Sequence, residues 1–167
     1  MKYAIVYSSQ TGNTKLLAET IKIILSDEDC IYFGNPDTAA LEADRIYVGF
    51  WTDKGTCDKQ SKEFLKNLNE KEVYLFGTAG FGISQAYFDK IIERTAENLN
   101  ENVKLIGHFM CQGKMPMSVR KRYEKMLNSE TKVPNIQGMI DNFDKALSHP
   151  DKKDLDNLKN SIYLCQE

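Results

Sequence analysis

Short apolar runs alternate along the chain with stretches whose apolar residues return every three or four positions. The runs at residues 3–7, 30–33, 45–50, 73–77 and 103–110 are rich in Val, Ile, Tyr and Phe, as strands buried on both faces are. Between them, Leu17, Ile21, Ile24 and Leu25 fall on one stripe, as do Phe64, Leu65 and Leu68, and again Phe88, Ile91, Ile92, Thr95 and Leu99. That period predicts helices. The connection 35–44 leaves room only for a brief helix near 38–42. Strand and helix in regular alternation predict an α/β fold, a doubly wound parallel sheet of five strands.

Such a fold needs one closing helix after its last strand, yet three helical stripes follow. They are Val119, Tyr123, Met126 and Leu127; Ile136, Met139, Ile140, Phe143 and Leu147; and Leu155, Leu158 and Ile162. Pro150 and Asp151 suit a first helical turn, where a missing N–H and a negative charge are tolerated. We therefore assign 151–165 as the closing helix and about 112–149 as an inserted helical hairpin or lid. No repeat or low-complexity linker divides the 167 residues, so one domain, 1–167, is expected.

Composition narrows the class. With 22 basic and 24 acidic residues the net charge is −2, which argues against a nucleic-acid partner. The apolar runs fall far short of the ~20 residues that span a bilayer, so no membrane association is expected and the chain reads as cytoplasmic. Cys30, Cys57, Cys111 and Cys165 are scattered without a C-x-x-C pair. They predict reduced thiols in place of a zinc site or disulfide framework. His108, among apolar strand neighbours, and His149, beside Pro150, read as a strand residue and a helix boundary; no metal ligand set is assigned.

The densest chemistry follows the first strand, where Ser8, Ser9, Gln10, Thr11, Gly12, Asn13 and Thr14 lead into the first helix. A helix start has unpaired N–H groups and the positive end of a dipole, short hydroxyl and amide side chains add donors, and glycine permits close approach. That combination predicts a phosphate cradle. A nucleotide-hydrolase loop would need a further glycine and a lysine, a low-molecular-weight phosphatase a Cys and an Arg, and a phospho-receiver a pair of acids. None of these is in place.

The loop resembles that of the flavodoxins, whose [ST]-x-T-G-x-T pattern is matched by Ser9, Thr11, Gly12 and Thr14, with Asn13 at the usual polar position. The resemblance implies strand order 2-1-3-4-5 and flavin mononucleotide (FMN) held at the switch between the first and third strands. It implies that the side chains of Ser9, Thr11, Asn13 and Thr14 and the amide of Gly12 bind its phosphate, with Gln10 in the same loop. Two further loops would hold the ring: Phe50, Trp51, Thr52, Asp53, Lys54 and Gly55 after the third strand, and Thr78, Ala79, Gly80, Phe81 and Gly82, continuing through Ile83 and Ser84, after the fourth. Gln85 stands where a dinucleotide fingerprint needs its last glycine. The turn Cys111-Gln112-Gly113-Lys114-Met115-Pro116 lies on the same sheet edge, and together with the phosphate loop it resembles a small flavodoxin-like subgroup of anaerobic bacteria, some associated with bilirubin reduction.

The expected function is electron transfer through FMN, from a reductase to an acceptor protein. An FMN-dependent oxidoreductase acting on NAD(P)H, a quinone or a tetrapyrrole is the alternative, with the insert as its pocket; a flavin-free interaction module is a third. In residues 112–132, Lys114, Arg120, Lys121, Arg122, Lys125 and Lys132 outnumber Glu124 and Glu130. This excess predicts redox protein partners of acidic character.

Overall fold

Each apolar run becomes a strand of one sheet. The computed structural model describes residues 1–82 and 84–167. In chain order the elements are β1 (Tyr3–Tyr7), α1 (Asn13–Ile24), β2 (Cys30–Gly34), a short 3-10 helix at Thr38–Glu42, β3 (Arg45–Asp53), β4 (Thr56–Cys57), α2 (Lys59–Lys66), β5 (Glu72–Ala79), α3 (Gln85–Ala96), β6 (Lys104–Gln112), α4 (Met117–Leu127), α5 (Ile136–Ala146) and α6 (Lys152–Leu164). The parallel strands run β2-β1-β3-β5-β6, and β4 pairs with β3 in antiparallel sense. The main sheet therefore has the expected five-stranded order, with one short strand added.

Alternation along the strands divides the core. Ala4, Val6, Ile46, Val48, Phe50, Val73 and Leu75 face one side, where Phe64 and Leu65 of α2 and Ile91 and Ile92 of α3 cover them. Tyr3, Ile5, Tyr47, Tyr74 and Phe76 face the other, beneath Leu17 and Ile21 of α1 and Leu158 and Ile162 of α6. Each large side chain so buried contributes about 1.5–3 kcal/mol. The inserted pair α4–α5 closes a third core of its own, from Tyr123, Ile136, Ile140 and Phe143. Arg120 belongs to this hairpin: it donates to Glu124 at 2.9 Å and Asp144 at 3.3 Å, and so leaves the free basic surface on which the sequence had counted it. Asp151 caps α6 from outside, its side chain accepting from the Asp154 amide at 2.9 Å while Asp154 accepts from its amide at 2.9 Å. The closing helix thus begins one residue later than its sequence signals suggest, and Pro150 precedes the cap.

Two expected loops begin as strand. β3 continues through Trp51, Thr52 and Asp53, then reverses at Lys54 and Gly55, whose φ values of 52° and 82° are both left-handed. That pair makes the tight hairpin whose twist suits two antiparallel strands. β5 includes Thr78 and Ala79, and β6 includes Cys111 and Gln112; the insert proper begins at Gly113. Ile83 lies outside the described residues.

At the functional end of the sheet, Gly49 pairs with Phe76 and Phe50 with Gly77. Each glycine lies under the partner strand's phenylalanine ring, on opposite faces. A Cβ on Gly49 would invade the Phe76 ring and stand 2.9 Å from Thr14 Cγ2, so this glycine lets the first turn of α1 lie against the sheet. Gly49→Ala is expected to destabilise the fold by about 1–3 kcal/mol through overpacking. Gly34→Ala, whose new carbon would meet chiefly the movable Tyr32 hydroxyl at 3.1 Å, should cost under about 1 kcal/mol. Urea unfolding of the two variants checks the difference.

Candidate functional site

The site grows from the ends of β1, β3 and β5. The chain leaves β1 with the Ser8 amide donating to Gly49 O at 3.0 Å and enters α1 through Gly12, whose φ of 87° is left-handed and which offers no side-chain cap. Ser9 Oγ accepts from the amides of Gly12 at 3.1 Å and Lys15 at 3.3 Å. The first amides of a helix have no intrahelical partner and sit at the positive end of the dipole. Beneath them Thr14, 1% exposed, donates to Phe50 O at 3.0 Å. Its single hydroxyl proton is thereby used, so the 3.1 Å contact with Thr78 Oγ1 is donated by Thr78. Thr52 Oγ1 donates to Thr78 O at 2.8 Å.

The far wall comes from the segment joining β6 to the insert. The Lys114 carbonyl accepts from Thr11 Oγ1 at 3.2 Å and from Asn13 Nδ2 at 2.8 Å, while the Lys114 amide donates to His149 O at 3.1 Å and the Gly113 amide to Ala79 O at 2.9 Å. A side chain on Gly113 would strike the Asn13 amide, and one on Gly80 would strike Met115. Gly80 O in turn accepts from Gln112 Nε2 at 2.9 Å and Asn142 Nδ2 at 3.0 Å. The insert is thus bonded to the site at its edge.

Ser9, Gln10, Thr11, Asn13, Thr14, Trp51, Thr52, Thr78, Ala79 and Gly80 line a common cavity of about 70 Å³, closed by Gly113, Lys114, Met115 and Pro116. Other residues expected there lie elsewhere. Gly12 makes the turn without lining the cavity. Phe50 is fully buried in the core. Asp53, Lys54 and Gly55 form the hairpin tip, which Arg94 Nη1 holds by donating to Gly55 O at 3.3 Å. Phe81 is outside the lining, and Gly82 borders a separate cleft with His108 and His149. The sequence places the turn Gly113–Pro116 on this sheet edge without marking it as part of the site; its contribution is mainly backbone, which residue type does not announce.

The cavity has room for a few water molecules or one phosphoryl group, and the helix start gives it donors and positive potential. Asn13 is 7% exposed and its Oδ1 is buried with no hydrogen-bond partner. Because the Lys114 carbonyl can only accept, it fixes the side-chain amide with Nδ2 toward Lys114 and leaves the oxygen buried and unpaired. The donors and positive potential of the helix start suit an anionic, phosphoryl-bearing ligand.

The Flavodoxin domain family matches residues 4–163. The chain belongs to the flavodoxin domain family. It is 45% identical over 172 residues to a flavodoxin-like domain-containing protein BilS of Clostridium symbiosum, covering 93% of this chain and 90% of that protein. A protein of the same description from Clostridioides difficile is 34% identical over 159 residues, again covering 93% and 90%. Among solved structures, oxidised Flavodoxin 2 from Bacillus cereus superposes with a TM-score of 0.56 at 18% identity, over 99% of this chain and 98% of that one. A flavoprotein in complex with FMN from Lactobacillus acidophilus gives 0.50 at 19% identity, over 65% and 92%. Identities this low speak for the fold alone.

In this flavodoxin-domain chain the described residues include no helix long and apolar enough to cross a membrane. The thiols near the site are poor nucleophiles. Burial pushes Cys111 well above the ordinary thiol range, with Asp154 and Asp151 adding to the shift, and burial raises Cys57 as well. Since only a thiolate reacts readily, both should resist alkylation by iodoacetamide in the native protein at pH 8 and react on unfolding. Peptide mass spectrometry after a timed pulse checks this.

Proposed function

We propose that the chain binds FMN at this site and carries electrons between a reductase and an acceptor protein. One observation supports the reading above the others: an α1 start whose Asn13 and Thr14 amides have no partner among the described residues lines the cavity where three strands end. FMN supplies one- and two-electron chemistry when bound. The chain supplies the rest. The unpartnered amides of the α1 turn hold the phosphate, Thr14 and Thr78 fix that turn to the sheet, and Thr11 and Asn13 tie it to the Lys114 carbonyl. Trp51 and Met115 bound the cavity with apolar surface that limits water.

The insert favours a carrier over an enzyme with an enclosed substrate pocket. α4 and α5 fill the space between them with their own side chains. What they offer outward is charge: Lys121, Arg122 and Lys125 are exposed on α4, which starts beside the cavity residue Pro116. Such a face suits an acidic redox partner.

Titration of the apo-protein tests the cofactor. Two charge-assisted bonds to phosphate make FMN bind at least about 100-fold tighter than riboflavin; equal affinities, or no binding of either, defeat the assignment. Rapid reduction of the FMN-loaded protein by NADH or NADPH without a partner would favour the enzyme instead of the carrier.

Replacement of Lys121, Arg122 and Lys125 by Glu tests the partner. FMN should remain bound, while electron exchange with an acidic ferredoxin-type protein slows and loses its salt dependence. Stopped-flow rates at two ionic strengths provide the measurement, and unchanged rates and salt dependence rule out this docking face.

A further inference from the structure

Asp58 is a buried acid for which the proposed function has no use. It is 2% exposed and takes part in no ion pair among the described residues. Its Oδ2 accepts from the Ser61 amide at 3.1 Å, which caps α2. Its Oδ1 accepts from Ser61 Oγ at 2.9 Å and from the Trp51 amide at 3.3 Å. The Asp58 amide donates to Trp51 O at 3.0 Å. Both polar groups of the Trp51 backbone therefore end on one residue, across the β3–β4 hairpin.

Capping alone does not require this arrangement. Ser, Thr or Asn would cap α2 without the cost of a buried, unpaired charge. Three donors converging on two oxygens require both oxygens to accept. An asparagine would turn an NH₂ group toward one of the donors. The carboxylate is matched to holding Trp51 as well as starting α2, and Trp51 and Thr52 line the cavity.

We infer that Asp58 is a positioning residue for the flavin-ring side of the site, acting through the backbone of Trp51. The inference rests on the FMN reading for its ligand, but its first measurement does not. Trp51 is the single tryptophan of the chain, so the emission of the apo-protein reports on it directly. Asp58→Ser keeps a short acceptor for the α2 cap and removes the one that reaches the Trp51 amide. Its Trp51 emission should move to longer wavelength and become more accessible to acrylamide. FMN and riboflavin should lose affinity by the same factor, because the phosphate that distinguishes them is held by the amides of the α1 turn, which this variant leaves in place.

Unchanged emission in a folded Asp58→Ser protein, or a loss confined to FMN, overturns the inference. Should far-UV circular dichroism show that variant unfolded, Asp58→Thr replaces it. Threonine also caps α2 with a hydroxyl and lacks the second oxygen that holds the Trp51 amide, so the emission should shift in the same direction; no shift is equally decisive against the inference. If the wild-type protein binds neither flavin, the FMN reading fails and the emission experiment still decides whether Asp58 positions Trp51.

Discussion

The Thr14 hydroxyl joins three elements at one buried point: α1, which carries it, β3 through Phe50 O at 3.0 Å, and β5 through Thr78 at 3.1 Å. A helix start has free amides wherever it stands; they become a site only if the helix is held against strand ends that supply the other walls. Thr14 supplies that hold, and the missing side chain of Gly49 supplies the necessary approach. Its hydroxyl is committed to the sheet and Ser9 Oγ takes the Gly12 and Lys15 amides, so the amides of Asn13 and Thr14 are the ones left for a ligand.

The same economy of polar groups explains the wall opposite. The Lys114 carbonyl accepts from two side chains of the phosphate turn, and the next residues carry the chain into α4. A carbonyl has two acceptor positions, and both are used to bind the insert to α1. His149 O, at the other end of the insert, accepts from the Lys114 amide. The two ends of the inserted segment are therefore tied to one another beside the cavity, whatever the helices between them do.

Much of this fold was legible because buried strands are apolar and their helices periodic. β1 and the two inserted helices show themselves in this way, and the short helix at 38–42 through the length of its connection. What was not legible lies where those signals stop. Thr52 and Asp53 continue β3 without an apolar side chain, and Lys54-Gly55 makes a tight hairpin without the Asn-Gly or Asp-Gly pair that usually marks one. The turn before α1 shows its polar character in its residue types, and Ser9, Thr11, Asn13 and Thr14 do meet at one cavity. Lys114 contributes through its carbonyl, which every residue has, and Arg120 could be excluded from the basic surface only once Asp144, on another helix, was seen beside it.

The insert is the main departure from the plain doubly wound plan, and its packing constrains its role. A hairpin with its own core of Tyr123, Ile136, Ile140 and Phe143 does not depend on the sheet to bury its apolar face, so its outer surface is free to diverge in charge. Its polar bonds to the domain include those to Gly80, Ala79, Thr11 and Asn13, all of which line the cavity. Any change at those residues is felt where α4 begins. The exposed basic face of α4 and the cavity are thus connected through about one turn of chain, which is the geometry the proposed docking would use.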